Sequence, residues 1–77
     1  MSRHAATPDY MLGRAMSRIE NALRRGDVGS LRDTMNRASG AAGVCARLGR
    51  INASRDWAAI ASEASACIEH LLSRADA

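Results

Sequence analysis

At 77 residues, with 47% apolar content, one proline and a net charge of +3, the chain is sized for one domain with a modest core. It holds no apolar run long enough for a signal peptide or a bilayer span, and its two cysteines are too few for a secreted disulfide framework. A cytoplasmic protein with reduced thiols and no membrane association is therefore expected, organised as a single helical domain over residues 1–77.

Residues 1–6 read as a short flexible tail. Thr7, Pro8 and Asp9 then make a helix start: a hydroxyl to cap, a proline suited to the first helical position, and an acid at the positive helix end. Leu12, Met16, Ile19 and Leu23 recur at steps of four, three and four, flanked by Met11, Ala15 and Ala22, which predicts a helix over about 8–25 with one apolar face. Arg24 and Arg25 suit its last turn, and Gly26 can take the left-handed conformation that stops it.

Residues 26–29 are only long enough to reverse the chain, so the first two helices are expected to be antiparallel neighbours. Ser30 and Asp33 resemble a capping box that opens a second helix over about 30–49, with Leu31, Met35, Ala38, Ala42, Cys45 and Leu48 on one face. Ser39, Gly40, Ala41, Ala42 and Gly43 interrupt its helix formers. Each interior glycine costs about 1 kcal/mol relative to alanine. An unbroken helix is expected, in which Ser39, Ala42, Gly43 and Ala46 form a narrow strip open to close approach; a kink near Gly40 is the alternative.

Gly49 and the residues to Ala53 end that helix, with Asn52 or Ser54 as cap of a third helix over about 54–74 and Asp56 in its first turn. Trp57, Ile60, Ala64, Cys67 and Leu71, beside Ala61, Ile68 and Leu72, form the longest apolar stripe in the chain. This helix is the expected seam on which the others pack. The fold class is all-α: a small three-helix antiparallel bundle, or an extended helical hairpin with a shorter N-terminal helix.

Chemistry finds few candidates. Cys67 and His70 are three apart on one helix, but a thiol within an apolar stripe is suppressed as a nucleophile. Zinc would need Cys45, Cys67, His70 and Glu63 brought together, without CxxC or HxxxH spacing to support it, and His4 sits in the tail. No Gly-rich phosphate loop follows a strand. No catalytic, cofactor or metal residue is expected.

Charge is segregated. Up to Asn52, nine Arg stand against four acids, a net +5; from Ala53 onward two Arg face four acids, a net −2. Arg14, Arg18, Asn21 and Arg25 share one side of the first helix and could track a phosphate backbone, which makes an arginine-dependent nucleic-acid binder one reading. Against it, the third helix is acidic and rich in Ala and Ser, and no aromatic platform is available for stacking bases. All eleven basic residues are Arg, which suits bidentate contacts to carboxylate or phosphate but also follows, with the alanine load, from GC-rich coding.

The reading favoured by the residues is a non-enzymatic protein-interaction module, such as a regulator, an inhibitor or a chaperone-like adaptor, that self-associates as a homodimer. A lean core, a strip of small residues and adaptable methionines support it. Its interface is expected among Met11, Leu12, Met16, Met35, Ser39, Ala42, Gly43, Ala46 and Trp57.

Overall fold

A computed structural model describes residues 9–75 as three helices: α1 (Asp9–Arg25), α2 (Val28–Arg47) and α3 (Ile51–Ala75). The helix-start signal at Thr7 and Pro8, the 1–6 tail and His4 lie outside the described residues. The all-α three-helix architecture expected from the periodicity is present. The described chain forms a thin, elongated body of 49 × 21 × 14 Å.

Both turns close with the same device. At the end of α1, the Gly26 N–H donates to the Leu23 carbonyl and the Asp27 N–H to that of Ala22; at the end of α2, Gly49 donates to Ala46 and Arg50 to Cys45. These paired bonds satisfy carbonyls that a helix end leaves open. They require left-handed backbone at Gly26 (φ 67°) and Gly49 (φ 74°), which only glycine adopts without strain.

The helix starts differ from the expected ones. Asp27, not Ser30, caps α2: its carboxylate accepts from the Ser30 N–H at 3.0 Å and from the Ser30 hydroxyl at 2.6 Å. With the helix starting at Val28, Ser30 is the third helical residue, whose open N–H the Asp27 carboxylate is placed to accept. Asp33, expected to complete a capping box, instead pairs with Arg37 one turn on, at 3.2 Å. α3 begins at Ile51, so Asn52, Ser54 and Asp56 lie inside it rather than at its start. The Ser54 N–H donates to the carbonyl of Arg50, the residue just before α3, while its hydroxyl crosses to the Ala42 carbonyl of α2 at 2.9 Å.

α2 runs unbroken through Gly40 and Gly43. A Cβ built on either would meet nothing within 4 Å, so neither glycine serves close packing among the described residues.

The core lies where α3 meets both other helices, with the largest interface between α2 and α3. Ile19, Leu31, Ile60, Cys67 and Ile68 are buried together with Ala15, Ala22, Ala38 and Ala64; Leu12, Met16, Leu23, Met35, Trp57, Ala61 and Leu71 pack against them from the edge. Five of the ten buried apolar residues are alanine, so the helices approach closely while burying few large side chains. Among the described residues, only Ile19 and Leu31 are large and fully enclosed.

The apolar stripes overreach at both ends of the hairpin. Leu48 is 64% exposed and Leu72 45% exposed, with Val44 and Ile51 also uncovered. The described part of α1 starts beside Ala41 and Trp57, and the α2–α3 turn lies beyond them. Periodicity assigns a face to a helix, but burial needs an opposing element over the same length.

Candidate functional site

The seam between α1 and α2 opens to the surface as two neighbouring clefts. The first, about 390 Å³, has Ala15, Ala38 and Ile60 as its floor, Met11, Ala41 and Trp57 at one end, and Arg14, Arg18 and Arg37 on its rim. That volume is within the range of about 300–1,000 Å³ usual for ligand pockets, at its lower end. The second, about 380 Å³, is polar: Arg18, Asn21, Arg25 and Gly29 line it with Ser30 and Asp33. Arg18, Thr34 and Arg37 belong to both and mark where the two join.

This geometry follows from helical spacing. Steps of four, three and four place Arg14, Arg18, Asn21 and Arg25 in one row on α1. That row flanks the buried Ala15, Ile19 and Ala22 and borders α2, so the cations stand over the seam. On α2, Thr34 and Ala38 are one turn apart and line the opposite wall with Arg37.

The cations differ in their engagement. Arg25 lies 3.8 Å from the Asp27 carboxylate, and Arg37 is held by Asp33. Arg24, outside the clefts, donates to the Asn21 side-chain oxygen. Among the described residues, neither Arg14 nor Arg18 has an acidic partner. Two unneutralised guanidinium groups therefore face an apolar floor.

Thr34 is the one polar side chain buried among the described residues, at 9% exposure. Its hydroxyl has no hydrogen-bond partner among them. Because Thr34 lines both clefts, that hydroxyl is available to a group that enters them.

The residues expected at an interface are divided by the fold. Met11 and Trp57 line the apolar cleft. Leu12, Met16 and Met35 pack against the core. Ser39, Gly43 and Ala46 are exposed on α2, and part-buried Ala42 receives the Ser54 hydroxyl. Arg14, Arg18, Asn21 and Arg25 come together along the seam, Arg14 on the apolar cleft and Asn21 and Arg25 on the polar one. Thr34 and Arg37 were missed by the sequence reading. The signal for Thr34 was available: it lies three residues after Leu31 and four before Ala38, a polar residue within an apolar stripe.

Cys67 is buried and its thiol is pushed up from its ordinary value, first by burial and then by the nearby Glu63 carboxylate. Both effects disfavour the thiolate. Exposed His70, three residues on, is not enclosed with it. Among the described residues, no group of three metal-ligating side chains is assembled, and no helix is long and apolar enough to cross a membrane.

No family model, curated protein or solved structure matches this chain.

Proposed function

We propose that this chain is a non-enzymatic protein-interaction module, a regulator or adaptor that takes a protein partner in the cleft between α1 and α2. The observation that carries this reading is the pairing of an apolar lining, Met11, Trp57 and Ile60, with Arg14 and Arg18, which have no acidic partner among the described residues, on the rim. Apolar anchors surrounded by charge are the usual composition of a docking site, with affinity from the buried groups and steering from the cations. The exposed Val44, Leu48 and Ile51 near the α2–α3 turn support self-association as a homodimer.

Affinity capture from the native host tests the docking role. A protein retained by the wild type is expected to be lost on Met11→Glu, a change at a 38% exposed position outside the buried core, with the helical circular-dichroism signal retained. Equal retention by both would remove the reading. For self-association, the expected outcome is a dimer mass by light scattering and a melting temperature that falls on dilution. A monomer whose melting is independent of concentration ends that part of it.

The competing reading is nucleic-acid binding, favoured by the cleft that gathers Arg18, Asn21, Arg25 and Arg37. It accounts for the cations but gives no role to the apolar cleft beside them. Duplex binding with a steep salt dependence, lost in Arg14→Ala and Arg18→Ala, would promote it; no retention on DNA or RNA at low salt would dismiss it.

A further inference from the structure

The two clefts form a groove with polarity. From Met11 to Arg25 the row along α1 covers fifteen residues, about 21 Å from first to last at 1.5 Å per step, far longer than one small molecule needs. One end is apolar, at Met11, Ala41, Trp57 and Ile60; the other is polar and cationic, at Arg18, Asn21 and Arg25. At the junction stand an Arg18 without an acidic partner and a buried Thr34 hydroxyl without a hydrogen-bond acceptor.

Resting on the docking role above, we propose that the occupant is an acidic, amphipathic peptide segment of the partner, laid along the α1–α2 groove in one direction. Its apolar side chain fills the Met11, Trp57 and Ile60 end. A carboxylate beside it takes the Arg18 guanidinium and accepts a hydrogen bond from the Thr34 hydroxyl. Further acids meet Arg25 and Arg37, whose present pairings, with half-buried Asp27 at 3.8 Å and exposed Asp33, are weak surface contacts that can exchange. Charge complementarity selects an acidic segment, and the apolar end selects a peptide over a nucleic acid, whose phosphate backbone has nothing to place there.

Trp57 reports on the site directly, because it is the chain's one tryptophan and it lines the apolar end. The probe is a capped peptide of about fourteen residues, matched to the helical span of the groove, leucine-rich in one half and glutamate-rich in the other. Its glutamine counterpart and a duplex oligonucleotide serve as the other arms. The leucine–glutamate peptide is expected to shift Trp57 emission. Its affinity should fall about tenfold or more when its glutamates become glutamine, and by a similar factor in Arg18→Gln, as loss of a charge-assisted pair implies. Thr34→Val, which removes only the hydroxyl and keeps the side chain's shape, should weaken the same peptide several-fold with the fold retained. Equal binding of the glutamine peptide overturns the carboxylate assignment and leaves apolar docking standing. A response to the oligonucleotide alone overturns both the inference and the docking role, and silence toward every probe overturns the inference.

Discussion

Replacing Gly40 and Gly43 by alanine tests whether the outer face of α2 is free. Both glycines have helical backbone, neither being among the positive-φ residues, and a Cβ at either position meets nothing within 4 Å. Alanine should therefore recover the full propensity difference, about 1 kcal/mol at each site and about 2 kcal/mol for the pair. In a domain of this size each kcal/mol moves the melting temperature by about 4–8 °C, so the double variant should melt about 8–16 °C higher. Thermal melts by circular dichroism at two widely separated protein concentrations measure this. Gly26→Ala and Gly49→Ala are the controls: at φ 67° and 74° a Cβ is strained, and both should lower the melting temperature. If Gly40→Ala or Gly43→Ala destabilises, and does so most at high concentration, another backbone covers that strip in an oligomer and the free-face argument is wrong.

Leu31 is, with Ile19, one of the two large side chains fully enclosed among the described residues of an alanine-rich core. Leu31→Ala should cost about 2–5 kcal/mol, enough to leave much of so small a domain unfolded in a denaturant titration at room temperature. The Asp27 carboxyl is held below its ordinary 3.8 by the Ser30 hydroxyl, then by the Ser30 N–H and by Arg25. With the folded value depressed, its contribution is full above 3.8 and is lost as pH falls through the folded value, so the gap between wild type and Asp27→Asn should close on acidification. A constant gap would show that the charge is immaterial. Cys67, buried with its thiol pushed up, should react with iodoacetamide at neutral pH only as the protein unfolds, whereas rapid labelling of the native state would revive a reactive-thiol site.

Helix number, the antiparallel turn at Gly26 and the role of 57–72 as the seam were legible because each rests on local signals: an apolar period, cations in a last turn, a glycine just after it. Where two local signals compete, sequence cannot rank them. Ser30 reads as the cap of α2, yet Asp27, a capping residue type three positions earlier, takes that place because its carboxylate accepts both the N–H and the hydroxyl of Ser30. Ser54 reads as a cap too, yet its hydroxyl serves the α2–α3 interface, a contact across twelve residues that no local pattern reports. The exposure of Leu48 and Ile51 is likewise a matter of what stands opposite them. The arginine row on α1 was visible as a row; that it borders Thr34 and Trp57 rather than open solvent depends on how α1, α2 and α3 meet.

The most direct measurement is Trp57 emission on adding the partner captured from the native host. With the cleft as the docking site, binding should shift that emission to shorter wavelength as water leaves the apolar end, and Met11→Glu and Arg18→Gln should each weaken the titration. A partner that binds with Trp57 emission unchanged, and with equal affinity for both variants, would place docking elsewhere on the molecule.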